Sequence, residues 1–169
     1  MAPLPEAVTP GIKSANPGLA PGAPRYGPAM AAGYSGTPLP RKLGIKPGHR
    51  VLVVGAPDGF VEDTLGELPD GAALRRRASG TADVIVAFHD SRAELEGALP
   101  GLRDLMDPAA GLWIAWPKRA SGVPTDLTED VVRELALANR LVDNKVAAID
   151  PTWSGLRLVI RVRDRVSAP

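Results

Sequence analysis

The sequence contains no cysteine, and this absence removes several chemistries at once. A disulfide framework, a thiol nucleophile, an iron–sulfur cluster and any Cys-ligated zinc are all excluded. Histidine is nearly absent too, at 2 residues, which argues against a His-rich metal site. Net charge is +1, with 20 Lys+Arg against 19 Asp+Glu, so there is no global electrostatic case for nucleic acid or an anionic membrane as the main partner. No stretch approaches the roughly 20 apolar residues that a membrane helix needs, and the first residues lack the charged start and apolar run of a secretory signal. The expectation is a cytoplasmic protein. Gly-x-Ser-x-Gly, Gly-Lys-Ser/Thr, His-Glu-x-x-His and EF-hand patterns do not occur, which sets those enzyme classes aside.

What is present divides the chain near residue 48. Residues 1–48 hold 10 of the 18 prolines and 8 of the 18 glycines. Without apolar periodicity such a segment cannot bury enough surface to offset its ordering entropy, and it is expected to be a disordered N-terminal segment. Its five basic residues against one acidic give +4, whereas the remaining 121 residues carry 15 basic and 18 acidic, or −3. A basic arm on a mildly acidic body suits either a binding tail or a solvated leader. Met30 opens a second plausible start, so residues 1–29 are read as a possible start-site extension.

The body, residues 49–166, alternates strands and helices. Val51 to Ala56 is a continuous apolar run, as expected of a strand buried on both faces. Pro57-Asp58-Gly59 follows, and Asp58 is expected to cap a helix carrying Phe60, Val61, Thr64, Leu65 and Leu68. Ala72–Arg77 and Asp83–Phe88 give a second and a third strand. Ser91-Arg-Ala-Glu94 is a capping box before Leu95, Ala98, Leu99, Leu102, Leu105 and Met106 at helical spacing, and Pro100-Gly101 is expected to kink or split that helix. Gly111–Trp116 is a fourth strand. Asp126 to Glu129 is a second capping arrangement, leading Leu127, Val131, Leu135 and Ala138. Leu141–Ile149 and Leu156–Val162 read as strands joined by a six-residue link from Asp150 to Gly155, too short for a helical crossover and therefore antiparallel.

This α/β pattern, a mostly parallel sheet in three layers closed by an antiparallel hairpin, resembles the Rossmann-like fold of S-adenosylmethionine-dependent methyltransferases. Between Arg77 and Asp83 there is no room for the helix and strand that would follow strand two, so the resemblance is to a reduced sheet lacking one edge strand. The segments Gly33–Gly48, Val54–Gly59, Trp116-Pro-Lys118 with Ser121-Gly122 and Thr125–Thr128, and Thr152–Leu156 are similar in order and spacing to the bacterial domain-of-unknown-function family 3052. That resemblance covers Gly33 to Asp164 and implies no particular reaction.

In open α/β sheets ligands sit beyond the carboxyl ends of the strands, and those ends supply the candidate residues. Gly55, Asp58 and Gly59 form the first turn. Here the methyltransferase resemblance implies Gly-x-Gly-x-Gly and S-adenosylmethionine as cofactor, but Pro57 replaces the middle glycine and deletes an N–H donor. A tight strand-to-helix turn needs the same two glycines without any ligand. The second end, where the resemblance implies an acidic residue for a ribose diol, reads Arg75-Arg76-Arg77, suited to a phosphate or to a solvated edge. His89 and Asp90 at the third end are candidates for acid–base work, although neighbouring strand residues face opposite ways. Lys118, Ser121 and Thr125 at the fourth, beside an expected helix N-terminus, suit an anion or serve only as turn and cap residues. Trp153 is a further candidate wall, or else closes one end of the core.

Two functions follow from these readings. One is a non-catalytic, methyltransferase-like domain binding an anionic small molecule or a protein partner. The other is a small transferase dependent on S-adenosylmethionine or a nucleotide.

Overall fold

The computed structural model describes residues 37–165. The expected disordered segment therefore lies largely outside the described residues. Its last stretch does not. Leu39–Lys42 forms a single helical turn, α1, and Leu39, Leu43 and Ile45 are all buried. The folded unit thus begins at Pro38, ahead of the composition break at residue 48. Gly44 and Gly48 sit at positive φ, so the glycines that give this stretch a linker-like composition serve as turn residues.

Six strands form one sheet: β1 (Arg50–Val54), β2 (Ala73–Arg75), β3 (Ala82–Phe88), β4 (Met106–Pro117), β5 (Leu141–Ala148) and β6 (Trp153–Ile160). Their order across the sheet is β2-β1-β3-β4-β6-β5. The first four pair parallel, and β6 runs antiparallel between β4 and β5. No helix or strand lies between β2 and β3, so β2 is the sheet edge where the fuller fold would continue. The apolar runs of β1, β3 and β4 are buried on both faces, as their lack of alternation requires.

Two helices, α2 (Arg92–Asp104) and α3 (Glu129–Ala138), border one core, where Leu52, Ile85, Leu95, Leu99, Leu135 and Leu158 pack. On the other face Val51, Val53, Phe60, Leu65, Trp113 and the α1 residues Leu39 and Leu43 form a second core. Trp113 is fully buried there, and its indole N–H donates to the Leu43 carbonyl at 3.0 Å. This bond satisfies the one polar group of the largest buried side chain.

Several local expectations are corrected. Asp58 caps nothing: after Gly59, at φ +81°, the chain makes a six-residue π-helical turn, Phe60–Leu65, that Gly66 ends at φ +80°. Both glycines have positive φ, a conformation that a right-handed helix cannot continue through, so the turn stays short. The chain does not kink into two helices at Pro100, which lies inside the single helix α2. Pro100, Gly101 and Glu96 are exposed, so water can satisfy the Glu96 carbonyl that proline leaves unbonded. Ser91 caps α2 as expected, accepting from the Glu94 N–H at 3.3 Å. The cap of α3 is Thr128, which accepts from the Val131 N–H, because Asp126 is engaged by the backbone N–H of Arg92 at 2.7 Å. The buried stripe of α3 is accordingly Val132, Leu135 and Ala136, and Ala138 is exposed. Strand β2 is shorter than Ala72–Arg77, and β6 starts at Trp153 and ends at Ile160.

Candidate functional site

The carboxyl end of β1 opens into a crevice of about 340 Å³ lined by Val53, Gly55, Ala56, Pro57, Asp58, Gly59, Val61, Glu62 and Arg76. It lies where the chain reverses its direction of travel across the sheet: β2 is on one side of β1 and β3 on the other. That switch point is where open α/β sheets place their ligands. The turn is shaped by two positive-φ glycines. Gly55 has φ +69°, and a Cβ built on it would come within 3.0 Å of the Phe88 carbonyl oxygen, a backbone atom that cannot swing aside. Gly59 closes the turn, and the Phe60 N–H donates to the Pro57 carbonyl at 3.1 Å.

Gly55, Asp58 and Gly59 are thus brought together in one concave site. Arg76 joins them from β2, and Glu62 from the π-helical turn. The guanidinium Nη2 of Arg76 donates to Glu62 Oε2 at 3.1 Å, and both side chains are largely exposed. The backbone N–H of Glu62 and then Arg76 hold the Glu62 carboxyl below its ordinary pKa. Sequence reasoning missed Glu62. Its signal was its position three residues beyond Gly59, in the first turn after the glycine pair. Arg75 turns elsewhere, donating to the carbonyls of Gly80 and Thr81 at 2.8 and 2.9 Å.

His89 and Asp90 adjoin the crevice without lining it. The Phe88 carbonyl faces Gly55, but along β3 Phe88 packs with Val53 and Phe60 while Ile85 and Ala87 pack on the opposite face. By that alternation His89 follows Ala87 toward the α2 side. Its backbone N–H donates to the Ala115 carbonyl, and its Nε2 is buried without a protein hydrogen-bond partner. Burial pushes the imidazole pKa below its ordinary 6.5, more than Glu94 and Asp90 raise it. The unfolded chain therefore takes up this proton before the folded one does. The His89 contribution to stability is complete above about pH 6.5 and declines as pH falls below it through the lowered folded-state value. Replacing His89 with Gln is expected to flatten that part of a stability-versus-pH curve from urea titrations, and an unchanged slope would contradict it.

Lys118, Ser121 and Thr125 lie on the loop after β4, outside the crevice lining. The Ser121 hydroxyl donates to the Lys118 carbonyl at 2.6 Å and accepts from the Val123 N–H. The Thr125 hydroxyl donates to the Asp90 carbonyl at 2.7 Å and accepts from the Leu127 N–H, which ties this loop to the end of β3. Helix α3 begins beyond them, and Glu129 and Asp130 already place negative charge on its first turn. Trp153 opens β6 and packs edge-on against Phe88 with ring centroids 5.0 Å apart, and Phe88 in turn meets Phe60 at 4.8 Å. This aromatic row forms one wall of the core behind the crevice turn. Among the described residues no cluster of His, Asp or Glu is arranged to hold a metal, and no helix is long and apolar enough to cross a membrane.

The fold is that of the Rossmann-like S-adenosylmethionine-dependent methyltransferases. A SAM-dependent methyltransferase from Aquifex aeolicus is similar over 72% of this chain and 87% of its own, with 18% identity and a TM-score of 0.54. The SAM-bound magnesium protoporphyrin IX methyltransferase from Synechocystis is similar over 73% of this chain and 74% of its own, with 14% identity and a TM-score of 0.51. The Methanococcus jannaschii fibrillarin pre-rRNA processing protein is similar over 69% of this chain and 68% of its own, with 13% identity and a TM-score of 0.52. The sequence matches no protein-family model and no curated protein.

The crevice fits S-adenosylmethionine only in part. The glycine turn and the partly exposed Ala56, Pro57 and Val61 allow the close approach of a flat adenosyl-type group, whereas Val53 is buried in the core beneath them. The end of β2 does not suit a ribose diol, because it offers a guanidinium, and the Glu62 carboxylate across from it is already ion-paired.

Proposed function

We propose that the crevice at the carboxyl end of β1 binds an adenosyl or nucleotide compound and that the chain is a small S-adenosylmethionine- or nucleotide-dependent transferase. The observation that carries this reading is the position of the crevice, at the switch point of a methyltransferase-type sheet and beside a positive-φ glycine turn that only a close-approaching ligand or a tight turn requires. Gly55, Asp58 and Gly59 are its binding residues. His89 and Asp90, next to it at the end of β3, are the groups for proton handling. Lys118, Ser121 and Thr125, outside the crevice lining on the loop tied to the end of β3, are assigned to an anionic part of the acceptor, and Trp153 backs the crevice turn from the core. Membership of the domain-of-unknown-function family 3052 belongs to the same proposal and rests on the four matching segments.

A second reading keeps the binding and drops the transfer, leaving a ligand-responsive or protein-interaction domain. It is favoured by Pro57, which lacks the N–H that a glycine would offer, and by His89 following the α2 side of β3. Thermal unfolding of the full chain against S-adenosylmethionine, S-adenosylhomocysteine, adenosine, AMP and ATP tests the binding common to both. A ligand at about 100 times its Kd is expected to add roughly 2.7 kcal/mol. No shift with any of them would overturn the crevice as an adenosyl or nucleotide site. Where binding occurs, His89→Gln separates the readings: loss of group transfer with binding retained supports the enzyme, and absence of transfer in the unaltered chain supports the second reading.

A further inference from the structure

The three successive arginines at the end of β2 have three different fates. Arg75 is spent on the Gly80 and Thr81 carbonyls, Arg77 is exposed, and Arg76 alone lines the crevice. Arg76 meets one carboxylate there, from Glu62, which lines the same crevice. The crevice therefore contains a cation occupied by a carboxylate of the chain itself, in a lining that also holds Ala56, Pro57 and Val61.

We infer that the ligand of this crevice is a nucleoside phosphate whose phosphate group takes Arg76 from Glu62. The inference rests on the crevice reading above and narrows it to a ligand class. The argument is one of exchange. A neutral ribose diol cannot displace a carboxylate from a guanidinium, so a ligand with only a diol at this end leaves the Arg76–Glu62 pair intact. A phosphate brings more acceptor oxygens and up to two charges, and it matches the planar guanidinium bidentately. The exchange meets little resistance, since ion pairs between exposed side chains contribute little. The base and sugar then lie along the glycine turn against Ala56, Pro57 and Val61, which separates a nucleoside phosphate from free phosphate. Asp58 and Glu62 line the same crevice, so a phosphate is held only where it reaches the Arg76 guanidinium directly.

Isothermal titration of the full chain with AMP, ATP, adenosine, S-adenosylmethionine and inorganic phosphate tests this. AMP or ATP is expected to bind on the order of tenfold more tightly than adenosine or S-adenosylmethionine, the scale of a hydrogen bond to a charged group. Arg76→Ala is expected to erase that difference. Glu62→Gln is expected to tighten AMP by up to about fivefold, because the competing carboxylate is removed. Both positions are exposed, so neither substitution threatens the fold, and circular dichroism checks this directly. Equal affinity for S-adenosylmethionine and AMP, or an Arg76→Ala chain that keeps its preference, would overturn the inference and leave the crevice reading standing. Binding of inorganic phosphate as tight as that of AMP would overturn the nucleoside part. Failure of every ligand would overturn the crevice reading as well.

Discussion

A chain beginning at residue 49 is expected to lose most of its folding stability, whereas a chain beginning at residue 37 retains every contact described here. The shorter chain lacks Leu39, Leu43 and Ile45, which are 9%, 0% and 4% exposed. Burying such side chains contributes about 1.5–3 kcal/mol each, so the joint loss of the three is roughly 4.5–9 kcal/mol. Trp113 is also left with an unbonded indole N–H in the core, because its acceptor is the Leu43 carbonyl. An unsatisfied buried donor costs about 1–3 kcal/mol. Domains of this size have about 5–15 kcal/mol in total, so the shorter chain stands at or below the edge of folding. Urea titrations of the two chains check this. Equal midpoints would mean that α1 and the segment after it do not belong to the folding unit.

Replacing Gly55 with Val is expected to abolish ligand binding, and replacing Gly122 with Val is not. Both glycines have positive φ, at +69° and +79°, so both substitutions carry the left-handed strain of about 1–2 kcal/mol. Only at Gly55 does the new Cβ also meet backbone, the Phe88 carbonyl oxygen at 3.0 Å, while nothing lies within 4 Å of a Cβ at Gly122. Gly55→Val thus moves the β1 turn or the end of β3, and with it the floor of the crevice. Gly122 borders the Lys118–Thr125 loop, so the pair also separates the two candidate anion sites. Equal losses of affinity would trace the effect to strain. A loss confined to Gly122→Val would move the site to the β4–α3 loop.

The parts of this fold that were legible in the sequence are those set by local pattern. Val51–Ala56, Asp83–Phe88 and Gly111–Trp116 are apolar without alternation, and only a sheet covered on both faces accounts for such runs. The short link expected between the last two strands, four residues long in the folded chain, was enough to fix their antiparallel pairing. Where the reading failed, a tertiary contact decided between local options. Asp126 and Thr128 are both competent caps, and the Arg92 N–H engages the first, leaving the second for α3. Pro100 is tolerated because the face it occupies is wet. The α1 segment was hidden by its own composition, since prolines and glycines surround three buried aliphatic residues, too few to set up a period. In the site, the glycine turn was legible because its conformational demand is local. Glu62 was not, because its significance depends on Arg76 arriving from another strand.

The same distinction holds for the electrostatics. Three consecutive arginines form a uniform basic run in sequence, but the strand ends at Arg75, which is held by the Gly80 and Thr81 carbonyls, and the bend that follows puts Arg76 in the crevice lining. Lys118, Ser121 and Thr125 look like an anion cradle in sequence. In the folded chain the two hydroxyls are engaged in bonds that shape their own loop and join it to the end of β3.

The measurement that bears most directly on the account is a map of backbone amide shifts as AMP or S-adenosylmethionine is titrated into the isotopically labelled full chain. The account predicts that the moving amides run from Val53 to Glu62 and include Arg76, with Phe88 and His89 following as neighbours. Shifts gathered on Lys118 to Thr125 while Val53 to Glu62 stay still would contradict it.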